Sequence, residues 1–241
     1  MGTIEAAARP VPRRSDAGKI RYTERDVTGL LLLAEHYAAP YDLLAAALSA
    51  PPARTRAVVA RWRAAGLAAS GSFGPGPAWC WLTTAGMTAT GRHYPARPPS
   101  LGRLAHYRAV LAARLWLQAA PAYAEAQPWW NSERRIRAAL PTGAGAPHVP
   151  DAEIHWPDGD SRPHPGQIWA IEVELTPKTA TRTARIMAGL LSGPPRYAQV
   201  VYLTSPAARH VVAAAAGNLP PAQAGRVAVR DLPPSAFAPG A

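Results

Sequence analysis

A chain of 241 residues, 48% of them apolar, can bury a substantial core, which excludes wholesale disorder. Its 26 Lys and Arg against 15 Asp and Glu give a formal charge of +11, and the partner such a surplus favours is a polyanion, nucleic acid foremost. Of the basic residues 24 are arginine and alanine is abundant, as GC-rich codon usage also produces, so charge alone does not decide the partner. The single cysteine, Cys80, excludes an internal disulfide and a Cys-rich zinc site; between Trp79 and Trp81 it reads as a packed small residue. Aliphatic runs such as Leu30–Ala34 fall far short of the roughly 20 residues of a membrane span. Met1–Arg21 holds no apolar signal-peptide core, so a cytoplasmic protein without membrane contact is expected. The surplus is uneven: residues 1–110 hold 14 Lys and Arg and 6 Asp and Glu, net +8, whereas residues 111–241 hold 12 and 9, net +3.

In chain order, residues 1–20 lack periodic apolar positions and read as a loose arm. Thr23 with Asp26 makes a capping-box-like start, after which Val27, Leu30, Leu31 and Ala34 recur with helical spacing. A short helix is expected over Tyr41–Leu48, ended by Pro51 and Pro52, and a third over Ala53–Ala65, closed at Gly66. On that third helix Val58, Val59, Trp62 and Ala65 share one face, and Arg56, Ala60 and Arg63 lie opposite. Arginines around a small residue suit a recognition helix, because guanidiniums reach phosphates or guanine edges and nothing bulky blocks entry into the major groove. Arg54, Arg56, Arg61 and Arg63 are the candidate DNA contacts; the alternative is a solvated charged face. Leu67–Ser70 and Ala78–Leu82 read as strands joined by the loop GSFGPGP, with LTTAG as a turn. Residues 21–92 thus resemble a winged helix-turn-helix domain, which implies double-stranded DNA as partner.

RHYPARPPS, residues 92–100, is proline-rich and reads as a boundary. A long helix follows with the stripe Leu101, Leu104, Ala105, Arg108, Leu111 and Leu115, so that 93–127 forms a linker and connecting helix. Its stripe serves packing between the halves or a homodimer.

The second half carries the acids. Alternation puts Ala152, Ile154 and Trp156 on one strand face and Asp151, Glu153 and His155 on the other. In the next strand Trp169, Ile171, Val173 and Leu175 oppose Glu172 and Glu174. A hairpin connection over PDGDSRPHPG, with Trp156 near Gln167, places Asp151 opposite Glu172. Carboxylates gathered in this way repel, and a fold tolerates them when a divalent cation or an Arg or Lys neutralises the group. Oxygen-only ligands favour Mg2+ or Mn2+, which can activate water and stabilise charge at phosphorus. The alternative is a polar sheet face neutralised by Arg182, Arg185 or the Arg134, Arg135 and Arg137 group. Ala198–Thr204 then reads as a buried strand, Pro206–Gly217 as a helix and Arg226–Arg230 as a strand, which makes the chain α/β (α+β) with a mixed sheet. Trp129 and Trp130 read as a core anchor or a base-stacking pair, and His148 and His155 flank the acidic strand. Residues 233–241 read as a loose tail.

HVPDAEI followed by WAIEVELTPK resembles the PD-(D/E)xK nuclease superfamily, and specifically the replication-relaxation family of mobile elements, over roughly residues 21–215. The resemblance implies a winged helix followed by a restriction-endonuclease-like domain, here residues 128–232. It implies Asp151 and Glu172 as metal ligands and Glu133, in NSERRIRAAL, as the acidic residue of the preceding helix. The implied activity is Mg-dependent nicking or relaxation of duplex DNA in the replication, transfer or maintenance of a plasmid or integrative element, alongside replication or transfer proteins. The superfamily places a lysine two residues after the second acid, where this chain has Glu174. Lys178, one of two lysines, either takes the catalytic role or is a structural counter-ion. The departure leaves a second possibility, a catalytically inactive nuclease-like regulator or accessory protein. The strand that this core usually has between Glu133 and His148 is not evident.

Overall fold

The computed structural model describes residues 22–140, 148–159, 162–192 and 196–237; the arm expected over 1–20 lies outside them. The chain is mixed α/β, with many helices around two sheets. Helix α1 (Glu24–His36) starts at Thr23 with a reciprocal capping box: the Asp26 carboxylate accepts from the Thr23 N–H at 2.8 Å and the Thr23 hydroxyl accepts from the Asp26 N–H at 3.2 Å. Leu30, Leu32, Leu33 and Ala34 are buried, but Val27, expected in the apolar stripe, is 48% exposed. The helix is turned so that Asp26 faces inward, where Trp62 Nε1 and Arg61 donate to its carboxylate.

The two-residue strand β1 (Ala39–Pro40) precedes α2 (Tyr41–Ala47) and α3 (Pro52–Ala64), and Gly66 at φ 72° takes the chain out of α3. Strands β2 (Ala68–Gly71) and β3 (Trp79–Leu82) pair antiparallel with Ser70 opposite Cys80, and β1 adds to the other edge of β3. Cys80 is wholly buried, which pushes its thiol up to about 12. LTTAG is not a turn but the start of α4 (Thr84–Ala89), capped by the Thr83 hydroxyl at 3.1 Å from the Gly86 N–H. A Cβ at Gly86 would lie 1.8 Å from the Leu67 carbonyl oxygen, so only glycine lets α4 sit this close to the hairpin.

A 3-10 turn (Leu101–Arg103) leads into α5 (Leu104–Gln118), followed by α6 (Pro121–Ala126). Arg108 and Leu111 of α5 are buried, while Leu101 is 67% exposed and lies outside the packed stripe. Arg108 pairs with both oxygens of Asp42 in α2, at 3.0 and 2.5 Å, and donates to the Phe237 carbonyl at 2.9 Å. One apolar core runs from Leu33 and Trp62 past Ala109 and Leu111 to Ile154, Ile171 and Leu203.

The larger sheet is built from β4 (Trp129–Ser132), β5 (Ala152–His155), β6 (Ile168–Glu174), β7 (Gln199–Thr204) and β8 (Val227–Asp231), in that spatial order. Its first three strands run antiparallel and its last three parallel. Helix α7 (Glu133–Ala139) follows β4, while α8 (Ala180–Leu191), α9 (Pro206–Gly217) and the short α10 (Pro221–Ala224) occupy the crossovers. Ile171 and Val173 face the core shared with α5, whereas Ala170 and Tyr202 pack under α8 and α9 with Met187 and Val212.

Strand β4 precedes Glu133; between Glu133 and His148 lies α7, and residues 141–147 are outside the described residues. Trp130 is buried in the core and Trp129 is 45% exposed. The tail expected from Pro233 is packed as far as Phe237: a 3-10 turn (Pro234–Ala236) buries Ala236 against the core that α5 shares. One short turn shows no periodicity, so its apolar residues gave no pattern. No described helix is long and apolar enough to cross a membrane.

Candidate functional site

The β5–β6 ladder sets Ala152 opposite Ile171, and the Trp156 N–H donates to the Gln167 carbonyl at 2.9 Å. Continued by one residue the same register puts Asp151 opposite Glu172, as the hairpin argument requires, and Asp151 Oδ2 accepts from the Val173 N–H at 2.8 Å. Alternation along β6 sends Glu172 and Glu174 to one face, both buried. The Glu133 N–H donates to the Asp151 carbonyl at 3.0 Å, which fixes the start of α7 against β5. Lys178 lies between β6 and α8. Glu133, Asp151, Glu172, Glu174 and Lys178 all line one open cleft of ≈ 460 Å³.

Each acid in the cleft has a partner. Asp151 Oδ1 accepts from His106 Nε2 at 2.8 Å, Glu172 Oε1 from His148 Nε2 at 2.8 Å, and Glu174 from Lys178. Glu133 accepts from Arg137 at 2.8 Å and lies 3.5 Å from Arg103. Among the described residues no ion pair joins Arg182 or Arg185 to these acids; of the arginines considered as counter-ions, Arg137 alone pairs with one of them. Burial pushes the Glu172 carboxyl up to about 7, the Asp151 charge adds to the rise, and the bond from His148 opposes it. His148 is raised by its hydrogen bond to Glu172 against the effect of burial. Burial would lower His106, but the bond to Asp151 and the Asp151 charge raise it.

Asp151 and Glu172 are the adjacent oxygen donors that could hold Mg2+ or Mn2+, and one of them, Glu172, keeps its proton up to about 7. Asp151 already uses both oxygens, and among the described residues no three His, Cys, Asp or Glu side chains converge as a ready cage. A cation held by Asp151 and Glu172 therefore competes with His106 and His148. His106 is the member that sequence reasoning missed, because it lies beside the apolar stripe of α5 in no motif and only the tertiary crossing of α5 brings it to Asp151.

A carboxyl whose folded pKa rises from 4.5 to about 7 keeps a proton that the unfolded chain has lost, so stability falls as pH rises through that window. The raised His148 acts in the same direction: its contribution is complete below 6.5 and is lost as pH passes its folded value. Thermal denaturation should therefore show Tm falling between about pH 5 and about pH 8, and Glu172→Gln should flatten the profile and raise Tm at the alkaline end. A variant profile parallel to wild type would assign the dependence to another group.

The second feature is the outer surface of α3. Thr55, Val58, Val59 and Trp62 are buried, while Ala53, Ala57, Ala60 and Ala64 are exposed. At the helical angle per residue, Arg54 and Arg61 flank this alanine crest on one side and Arg56 and Arg63 on the other. All four arginines are exposed, but Arg61 also pairs with buried Asp26. Arg54 and Arg61 further line a cleft of ≈ 430 Å³ with Thr28 and Ser49.

No family model matches the chain, and no curated protein matches it. Among solved structures, the crystal structure of NadR in complex with 4-hydroxyphenylacetate matches at 20% identity with a TM-score of 0.27, over 29% of this chain and 52% of that one. The chain thus spans about half the length of that structure, and at this level of likeness neither fold nor function transfers from it.

Proposed function

We propose that the chain is a DNA-binding protein of a plasmid or integrative element, with a winged helix-turn-helix reader beside a restriction-endonuclease-like body whose acidic cleft nicks duplex DNA with Mg2+ or Mn2+. The observation that carries this reading is the meeting of Glu133, Asp151, Glu172, Glu174 and Lys178 in one cleft. The reader is α3: its alanine crest fits a major groove, and arginine pairs on both flanks reach the bordering phosphates. In the cleft Asp151 and Glu172 would hold the ion, which when bound supplies a Lewis acid for a phosphoryl oxygen and lowers the pKa of a water. The Val173 N–H and His106 orient the Asp151 carboxylate, Lys178 places a cation beside Glu174, and Arg103 and Arg137 draw the DNA backbone toward the cleft. Replication or transfer proteins would act on the nicked product.

A specific observation favours a second reading, an accessory or regulatory protein without catalysis. Glu174 occupies the lysine position, and Lys178 is engaged by that same Glu174. Incubating supercoiled plasmid with wild type and Asp151→Ala, in Mg2+ or in EDTA, separates the two. Nicked circles that need both the metal and Asp151 are the expected result. Intact plasmid from both proteins, with equal DNA binding, leaves only the accessory role. In the same series Arg56→Ala and Arg63→Ala should each weaken binding and reduce its salt slope by about one phosphate contact; an unchanged double variant removes α3 as the reader.

A further inference from the structure

A second cleft, of ≈ 440 Å³, opens between α1, α2, α5, α6 and the β4–α7 segment and shares no lining residue with the acidic one. Arg92, Arg114 and Arg135 line it, against one acid, Glu35. That acid is already engaged: one oxygen lies 3.4 Å from Arg92 Nε and the other accepts from the Ser132 hydroxyl. Arg114 and Arg135 have no carboxylate partner among the described residues. One terminal nitrogen of Arg114 donates to His36 Nε2 at 2.9 Å, and burial holds His36 well below its usual range, so the ring accepts as a neutral imidazole. Arg114 Nε and Trp130 Nε1 are shielded from solvent and have no hydrogen-bond partner among the described residues. Arg135 stacks 4.3 Å from the centre of the Trp129 ring.

A half-buried guanidinium with no carboxylate in contact is unfavourable: burial lowers the Arg114 pKa, and Glu35, acting from a distance, offsets this only in part. Arg114 and Trp130 thus each line the cleft with one donor left unpaired, which leaves this wall short of acceptors. The remaining walls join an apolar surface of Leu31, Leu32, Leu115 and the two tryptophan rings to the polar Thr28, Gln118 and Tyr123. Placed donors beside an apolar surface are the composition of a small-molecule site, and an inorganic anion would leave that surface unused.

We propose that this cleft binds a small organic carboxylate with an apolar body, its carboxylate taken by Arg114 with Arg135 adding positive charge, and its body lying against Leu31, Leu115 and the tryptophans. Guanidinium and carboxylate match in shape and charge, which makes arginine the suited receptor. The site stands independently of any action on DNA.

Calorimetric titration of the full chain tests it with benzoate as probe, benzamide as the neutral isostere, and inorganic phosphate. Benzoate should bind saturably with a Kd of about 1 mM or tighter, as befits so small a ligand, and benzamide at least about tenfold more weakly. Arg114→Gln should abolish benzoate binding, and Arg135→Ala, which leaves the core untouched, should weaken it several-fold, so the outcome does not hang on how well the first variant folds. No saturable benzoate binding, equal binding of benzamide, or indifference of a folded Arg114→Gln or of Arg135→Ala overturns the proposal. Phosphate binding as tightly as benzoate overturns the assignment to an organic anion.

Discussion

Glu153→Ala should destabilise the protein by about 3–5 kcal/mol, measured by urea unfolding at neutral pH. Glu153 is wholly buried on the sheet, and its carboxylate is saturated. Oε1 accepts from the Tyr197 hydroxyl at 2.7 Å and from Arg196 at 2.7 Å, and Oε2 from Asn131 at 2.9 Å and His155 at 2.8 Å. Burial alone would raise its pKa, but the bonds from Tyr197, His155 and Asn131 and the Arg196 charge leave it below the ordinary glutamate range. It therefore stays ionised at neutral pH, and its contribution is lost as pH falls through that lowered value. Truncation leaves the Tyr197 and Asn131 donors without their acceptor where water has no access, and these dominate the cost because Arg196 is half exposed. Glu153→Gln keeps the shape and one acceptor oxygen, so it should cost less and remove the acid sensitivity. A loss under about 1 kcal/mol in the alanine variant would show that relaxation or water satisfies the donors.

The second large effect falls on α3 without touching its outer surface. Asp26→Ala should cost about 3 kcal/mol, the sum of a lost helix cap and of a broken buried contact to Trp62 and Arg61. The Trp62 indole donates to Asp26 at 2.8 Å, and Trp62 lies on the buried face of α3. Asp26 is thus the polar pin that fixes α3 against α1. If α3 reads DNA, the variant should also bind DNA more weakly while every candidate contact arginine is intact. Arg61→Ala, which removes a half-exposed partner, should change stability by less than about 1 kcal/mol. Equal stability of Asp26→Ala and wild type in urea would remove the pin.

Local chemistry made much of this legible. The Thr23 and Asp26 capping box, the prolines that bound α2 and α3, and strict alternation in β5 and β6 are short-range signals, and each appears where the residues dictate. The register of Asp151 against Glu172 rests on setting Trp156 beside Gln167, a pairing that the structure contains but that the sequence does not itself fix. Elements that depend on distant partners were hidden. WWNS has no alternation of its own and becomes β4 only by pairing with β5. The α4 segment is helical where Gly86 lets it sit against the Leu67 carbonyl, a contact that no local pattern encodes. Val27 shares the helical spacing of Leu30, Leu31 and Ala34 yet is exposed, because Asp26 turns inward to partners on another helix that no local pattern encodes.

The clamp at Arg108 bears on how the protein is made. Its guanidinium joins Asp42 and the Phe237 carbonyl, groups separated by most of the chain, while Leu232 and Ala236 complete the core beside it. Chains leave the ribosome N-terminus first and usually fold in that order. Here α1 to α5 can assemble early, but one hydrogen bond and one apolar cover of α5 arrive only after residue 237 has been synthesised. The contacts that close this face of α5 are thus among the last to be encoded.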